Sequence, residues 1–245
     1  MILTIARRDW AAAFKTPLAW LLLAASQLVL AWVFLRVLDG FTGLEPPTRS
    51  AGLNLDLSHN LFGTAAVLLL LAAPLLATRA LTVERREGTD QLLGAAPVSL
   101  AALVLGKLLG LALPLLLVGL LPLGLTLTLL GVAPVDPGLF AAATVGLWLC
   151  ALLFSAAGLY AASLSTQPAL AAVIAYGILL LLSMLSQAAQ LAAAQVSLLD
   201  WLSWNQHLFW FLAGVVRVSD LAYFGLATVL FLALAHRRLA NQRLG

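Results

Sequence analysis

Six long apolar runs dominate this chain and decide what it can fold into. Most of them reach roughly 20 residues, the length of an α-helix that crosses the hydrocarbon core of a bilayer. Only 9% of the 245 residues are charged and 63% are hydrophobic, whereas a soluble domain typically has about 25% charged residues. The runs also lack the short alternating segments of a membrane β-barrel. We therefore predict an all-α integral membrane protein with six transmembrane helices.

Prolines, glycines and polar residues interrupt the runs and set the predicted span boundaries. Residues 39–58 are expected to form a polar loop, and Pro74, Pro114 and Pro122 are expected to kink the helices that contain them. The whole chain, 1–245, is interpreted as one transmembrane domain. Its predicted spans are residues 18–38, 61–78, 98–130, 139–164, 169–194 and 220–235.

Two further segments are predicted to lie in the membrane interface. Residues 2–16 can form a helix that is apolar on one side and charged on the other, which is typical of an interfacial helix. An unstructured basic tail is the alternative for this segment. Residues 196–218 are rich in tryptophan and interrupted by polar residues, so we expect two short re-entrant helices at the outer leaflet. The headgroup contacts of the first segment are assigned to Arg7, Arg8, Trp10 and Lys15.

The basic residues are distributed unevenly between the two sides that six spans define. Three of the 13 lysines and arginines, namely Arg36, Arg49 and Arg217, fall on one side. The excess on the other side makes that side cytoplasmic by the positive-inside rule, which places both termini in the cytoplasm. The ten residues on that side are Arg7, Arg8, Lys15, Arg79, Arg85, Arg86, Lys107, Arg237, Arg238 and Arg243.

The densest charged segment follows the second run and lies within residues 79–107. We interpret it as a short amphipathic helix on the cytoplasmic face. Charges of both signs, with a glycine that allows close backbone approach, suit docking into a groove on another protein. The alternative is an ordinary solvated loop. The candidate contact residues are Glu84, Arg85, Arg86, Glu87, Gly88, Thr89, Asp90 and Gln91.

The order of short motifs here resembles the segment after the second span of ABC-2 type transporter permeases. The motifs are Glu84-Arg85-Arg86-Glu87-Gly88-Thr89, Leu92-Leu93, Pro97-Val98-Ser99 and Gly106-Lys107. The opening IARRDWAAAFKTPLAW is similar to the family's interfacial helix, and the stretch from Trp201 to the basic tail is similar to the gliding-motility type of ABC-2 permease. One departure is Asn205-Gln206-His207, where a Pro-Phe-X-His pattern is expected, so the role of His207 stays open.

The resemblance implies that residues 80–97 are a coupling helix that contacts a separate ABC ATPase subunit. It also implies a homodimer of permease chains that pack through spans 1, 2 and 5. The sequence contains no G-x-x-x-x-G-K-[ST] phosphate-binding loop, because Gly106-Lys107 is followed by Leu108 and lacks the upstream glycine. ATP and Mg are therefore expected on the partner, and this chain is expected to be neither an enzyme by itself nor a cofactor-binding protein.

Other kinds of chemistry find little support in the sequence. His59, His207 and His236 are far apart, so no metal site is predicted. A net charge of +3 is too small to argue for nucleic acid. The fifth run has a polar side made of Ser183, Gln187 and Gln190, a possible lining of a transport path.

We therefore expect a permease subunit of an ATP-driven ABC exporter in the bacterial inner membrane, moving an amphipathic or otherwise unknown substrate. Its expected partners are the ATPase, a second permease copy, the lipid membrane and possible periplasmic auxiliary proteins. One alternative is a non-transporting membrane scaffold or mechanotransmission subunit of an ABC complex. A stand-alone channel or a lipid-modifying enzyme is the other.

Overall fold

A computed structural model describes residues 2–42, 52–86, 99–191 and 197–244. Regular structure in these ranges is helical, apart from an isolated bridge between Leu130 and Ala133. A π-helical turn, Leu57–Phe62, leads into the third helix. The helices are α1 Ile2–Lys15, α2 Pro17–Thr42, α3 Gly63–Arg86, α4 Leu100–Leu127, α5 Pro137–Leu164, α6 Pro168–Leu191, α7 Ser197–Leu202, α8 Trp204–Leu212 and α9 Val218–Leu244.

Six helices within the described ranges are long and apolar enough to cross a membrane, which confirms the predicted all-α architecture with six spans. Each has an 18-residue window that carries at most two charged residues. The six candidate spans are Pro17–Phe41, Gly52–Thr78, Leu100–Leu127, Pro137–Leu164, Pro168–Gln187 and Val218–Asn241.

Helix extends further into the predicted 39–58 loop than the sequence suggested. Residues 52–56 are already α-helical and continue through the π turn into α3. The polar side chains that indicated a loop are hydrogen-bonded to neighbouring segments instead. Asn54 Nδ2 donates to the Pro134 carbonyl at 3.0 Å, and Ser58 Oγ donates to the Leu212 carbonyl at 2.6 Å. Polar residues near the end of a span can thus belong to the helix when a partner satisfies them.

A separate helix does not begin near residue 79. Residues 79–86 continue α3 without a break, because the stretch from Thr78 to Arg86 contains neither glycine nor proline. At the other end of the chain, α9 likewise runs through the basic tail to Leu244. Both helices are therefore longer than the spans predicted from apolar composition alone.

α5 forms the centre of the bundle and is mostly buried, as is α3. Small residues bring these two helices together: a Cβ placed on Gly158 of α5 would lie 2.5 Å from the Cβ of Ala77 on α3. Close approach of this kind is the usual way in which membrane helices gain packing energy. α2, α6 and α9 lie at the periphery, and most of their side chains are at least partly exposed.

α3 remains helical through Pro74, where the missing backbone N–H disturbs the hydrogen-bonding pattern of the preceding turn. The carbonyl of Leu71, three residues earlier, accepts a hydrogen bond of 2.6 Å from the hydroxyl of Tyr176 on α6. Neighbouring helices commonly satisfy the backbone groups near a proline in a membrane helix. The peripheral α6 is thereby tied to the buried α3.

Candidate functional sites at the two ends of the bundle

At one end of the bundle, α1 packs closely on the first turns of α4. A Cβ on Gly106 would lie 2.8 Å from the Ile5 Cβ, and a Cβ on Gly110 would lie 2.7 Å from the Asp9 Cβ. Ala6, between these contacts, is buried. The GxxxG spacing of α4 is therefore the surface on which α1 lies, and any larger side chain at either glycine would displace the helix.

A lysine is buried beneath this helix contact. Lys107, between the two glycines, is 1% exposed, and its Nζ lies 3.6 Å from Asp9 Oδ2. Asp9 also contacts Arg8, whose Nη2 lies 3.0 Å from Asp9 Oδ1. Because a buried ammonium group is stable only beside compensating charge, Asp9 helps to fix how α1 sits on α4.

The residues assigned to headgroup contacts lie on the outside of α1: Arg7, Arg8 and Lys15 are exposed, and Trp10 is 41% exposed. Trp10 also begins an edge-to-face series in which Phe14 lies 5.8 Å from it and Trp20 lies 5.3 Å from Phe14, between ring centroids. Trp20 Nε1 donates to the Phe14 carbonyl at 3.0 Å. These contacts bridge α1 and α2, which are separated by a single residue.

The first three of the predicted ATPase contact residues lie at this same end. Glu84, Arg85 and Arg86 form the last turn of α3. The five that follow, Glu87, Gly88, Thr89, Asp90 and Gln91, lie outside the described residues, as does most of the predicted coupling segment 80–97. The description resumes at Ser99, whose hydroxyl accepts a hydrogen bond of 3.3 Å from the backbone N–H of Ala102 and so caps α4.

At the opposite end, two short helices, α7 and α8, cover the bundle; we call them the cap. The hydrogen bond from Ser58 to the Leu212 carbonyl joins the cap to the π turn before α3. Asn205 Nδ2 donates to the Ser183 carbonyl of α6 at 3.2 Å. A Cβ on Gly146 of α5 would lie 2.7 Å from the Phe211 Cβ. The cap is therefore bonded or closely packed against three of the spans.

A buried charged cluster joins the cap to α9. Asp220, 0% exposed, accepts two hydrogen bonds from Arg217: Nε lies 2.8 Å from Oδ2, and Nη2 lies 3.0 Å from Oδ1. His207 Nδ1 lies 2.7 Å from the same Oδ1. Since a fully buried carboxylate is stable only when it is paired and hydrogen-bonded, these two residues make its burial possible.

Both ring nitrogens of His207 face acceptors, because Nε2 lies 2.8 Å from the Trp201 carbonyl while Nδ1 faces Asp220. The ring of His207 therefore links the cap, through the Trp201 carbonyl, to α9, through the carboxylate of Asp220.

Aromatic rings hold this cluster from the sides. The ring of Tyr223 stacks on His207 with a centroid distance of 3.9 Å, and its hydroxyl donates to the Leu202 carbonyl at 2.7 Å. Trp201 lies edge-on to both rings. The guanidinium of Arg217 lies 4.0 Å from the ring centroid of Trp210, a cation–π contact. Trp210 and Trp201 were expected as interfacial tryptophans, but their contact with this cluster was not.

The residues predicted to line a path have mixed surroundings. Ser183 is half-buried, and its hydroxyl donates to the Leu180 carbonyl of its own helix at 2.8 Å. Gln187 is exposed, one turn further along. Gln190 lies on the helical part of α6, but its side chain is outside the described residues. The positions i, i+4 and i+7 share one helix face, so the predicted polar side remains geometrically coherent.

Two serines of α5 are hydrogen-bonded within their own helix. Ser155 Oγ donates to the Ala151 carbonyl, and Ser163 Oγ donates to the Tyr160 carbonyl. Within the described part of the chain, no three His, Cys, Asp or Glu side chains come close enough to share a metal ion. Among the described residues, the two candidate functional sites are therefore the contact of α1 with α4 at one end of the bundle and the charged cluster at the other end.

Comparison with known proteins gives the family. No individual curated protein matches the chain. The family description "ABC-2 type transporter" matches residues 1–218, which is most of the 245 residues and includes everything up to the last candidate span. Together with the six spans, this match shows that the chain belongs to the ABC-2 type transporter family and is a multi-pass membrane component of an ABC transporter.

Proposed function

We propose that this chain is the permease subunit of an ATP-driven exporter in the bacterial inner membrane, with both termini in the cytoplasm. A separate ATPase subunit, which holds ATP and Mg, would drive it by pressing on residues Glu84–Gln91. The observation that carries this proposal is the family match over residues 1–218, in which the charged segment follows the second span. That segment begins in the last turn of a helix that continues unbroken from the membrane.

The route for mechanical force follows from this continuity. A helix of α3's length transmits displacement along its axis, because its backbone hydrogen bonds hold it as one rigid element. A push on Glu84 would therefore move α3, which packs against α5 through the close contact of Ala77 with Gly158. On the far side of the segment, α4 would carry α1 with it, because Gly106 and Gly110 leave no space between the two helices.

A second permease copy is part of the proposal. The apolar faces of α2 and α6 support pairing through spans 1 and 5, because most side chains of both helices are at least partly exposed in one chain. α3 is mostly buried already, so span 2 can add only a little to that interface. The exposed Gln187, with Ser183 and Gln190 on the same helix face, supports an amphipathic cargo near such an interface.

A mechanotransmission role without cargo is the second candidate. The observation in its favour is the cap, which is fixed to the π turn before α3, to α6 and to α9 by hydrogen bonds. A cap that is bonded to these helices would move with them and could transmit their displacement to a periplasmic protein. The two candidates differ in one measurable way, because only an exporter moves a substrate across the membrane while ATP is hydrolysed.

The coupling hypothesis is tested on the complex that co-purifies with a tagged copy of this chain. ATP hydrolysis by the co-purifying ATPase is measured after reconstitution in lipid nanodiscs. Glu84→Ala and Gly88→Trp are expected to reduce hydrolysis at least about tenfold, because one removes a charge and the other blocks close approach. Asp56→Ala is the matched control, since Asp56 is exposed at the opposite end of the bundle.

Assembly and hydrolysis unchanged in both variants would contradict the assigned contact. Transport at full rate by this chain alone, without ATP hydrolysis, would contradict the proposal as a whole and favour a channel. Hydrolysis that depends on Glu84 and Gly88 without movement of any amphipathic probe lipid would favour the mechanotransmission role.

A further inference from the structure

We propose that Arg217 forms a binding site for a phosphate group, and that its occupant is the headgroup of a glycerophospholipid at the cap end of the bundle. This site is independent of the ATPase contact, which lies at the other end. The argument depends on the hydrogen bonds that Arg217 makes, on those it leaves unmade, and on the surface around it.

Arg217 uses only one side of its guanidinium to hold Asp220. Nε and one N–H of Nη2 point at the two carboxylate oxygens, which is the side-on arrangement. The end-on pair, made of Nη1 and the second N–H of Nη2, has no hydrogen-bond partner among the described residues. Two parallel N–H groups of this kind match two oxygens of a phosphate. The side chain is 40% exposed, so this pair is accessible.

The guanidinium is already held in place, so binding a second anion costs little conformational entropy. Asp220 fixes one edge, and Trp210 lies against one face at 4.0 Å. An arginine in free solution would lose rotamer freedom on binding, whereas this one has lost it on folding. The site therefore differs from an ordinary surface arginine.

The positions of the charges also favour an anion. The carboxylate of Asp220 is fully buried and is shared between two partners, because its Oδ1 contacts both Arg217 and His207. Arg217 is the only exposed member of the three, so the charge presented at the surface is that of its guanidinium.

The surroundings point to a lipid as the source of the phosphate. Phe209 and Trp210 on the cap, and Val215, Val216 and Val218 around the start of α9, are all exposed. Exposed apolar side chains next to an arginine suit a ligand with a charged headgroup and acyl chains. A free phosphate ion would use the arginine but gain nothing from the apolar surface.

The test uses the purified full chain in detergent and native mass spectrometry with phosphatidylglycerol added at known concentrations. The variants are Arg217→Gln and the double variant Arg217→Gln/Asp220→Asn, which avoids a buried carboxylate with too few partners. Both are expected to weaken phosphatidylglycerol binding about tenfold, which is the loss of one charge-assisted bidentate contact. Arg36→Gln is the matched control, because the guanidinium of Arg36 also lies over a tryptophan ring, that of Trp32, at 5.4 Å from its centroid.

Two further binding experiments identify whether the bound phosphate belongs to a lipid or is a free ion. Inorganic phosphate at millimolar concentration is expected not to displace the lipid, and a glucosyl diacylglycerol, which has no phosphate, is expected not to bind with the same affinity. Displacement of the lipid by inorganic phosphate at equal concentration would overturn the assignment to a phospholipid. Equal lipid binding by the wild type and the double variant, with Arg36→Gln unchanged, would overturn the site itself.

Discussion

The two ends of the bundle are built by different kinds of contact. At the α1 end, α1 packs directly on α4 at Gly106 and Gly110, which have no side chains. Beneath this contact, Lys107 Nζ lies 3.6 Å from Asp9 Oδ2. At the cap end, hydrogen bonds of 2.6–3.0 Å join Ser58, His207 and Asp220 to their partners. The first contact depends on shape, and the second depends on directed bonds between charged or polar groups.

This difference suits the roles that we propose for the two ends. Packing between helix surfaces can adjust by small sliding movements without loss of contact. A bidentate ion pair or a short hydrogen bond loses most of its energy when its geometry changes. The α1 end can therefore accept a displacement from a partner, whereas the cap holds the far ends of the spans in register.

The largest effect on stability is expected from a substitution that breaks the hydrogen bonds of the charged cluster in the cap. In Asp220→Asn the charge that compensates Arg217 is lost, and the bonds of the carboxylate to Arg217 and His207 are weakened. We expect a loss of about 3 kcal/mol in the free energy of unfolding, the order found when one partner of a buried ion pair is removed. The measurement is unfolding in mixed micelles titrated with a denaturing detergent.

Asp56→Asn is the control for that variant, because the Asp56 side chain is exposed and makes no capping hydrogen bond. If both aspartate variants unfold at the same detergent fraction, the charged cluster does not stabilise the cap.

An intermediate effect is expected at the α1 contact. Gly110→Leu would place a side chain where the Asp9 Cβ already lies 2.7 Å from the position of a Cβ, so α1 must move away from α4. Overpacking of this kind costs about 2 kcal/mol. The same unfolding titration measures it.

Gly124→Leu on the same helix provides the comparison. Apart from its own helix backbone, no described atom lies within 4 Å of the position of a Cβ at Gly124. Unfolding of Gly110→Leu and Gly124→Leu at the same detergent fraction would show that the packing of α1 on α4 does not depend on the glycine surface.

The smallest effect tests a single bond of the cap. Ser58→Ala leaves the Leu212 carbonyl without its side-chain donor, and we expect a loss of about 1 kcal/mol in the free energy of unfolding. Thr64→Ala serves as the reference, because the Thr64 hydroxyl bonds only to the Asn60 carbonyl one turn earlier in its own helix. A loss no greater in Ser58→Ala than in Thr64→Ala would remove this bond from the account of the cap.

The sequence was sufficient for the six spans, because the length and composition of apolar runs are local properties. It was insufficient at helix ends, where Asn54 and Ser58 indicated a loop and instead bond across the bundle. The spacing of Gly106 and Gly110 indicated a close contact but could not identify α1 as its partner, since small residues are common throughout the chain.

The charged cluster of the cap was not predicted. Arg217 and Asp220 are three residues apart and could have indicated an ion pair at the start of α9. His207 joins them only because the segment after α8 turns the chain back, and no local pattern specifies that return. The only sequence signal that His207 belongs with this ion pair was its position among tryptophans, shortly before the arginine and the aspartate.

Site-specific photo-cross-linking tests the central claim most directly: that a separate ATPase moves this chain by contacting residues Glu84–Gln91. A photoreactive amino acid is placed at Thr89 in one variant and at Val132, which is 85% exposed at the cap end, in another. Our account predicts that the co-expressed ATPase is captured from Thr89 and not from Val132. Capture from Val132 alone, or from neither position in a complex that still hydrolyses ATP, would contradict it.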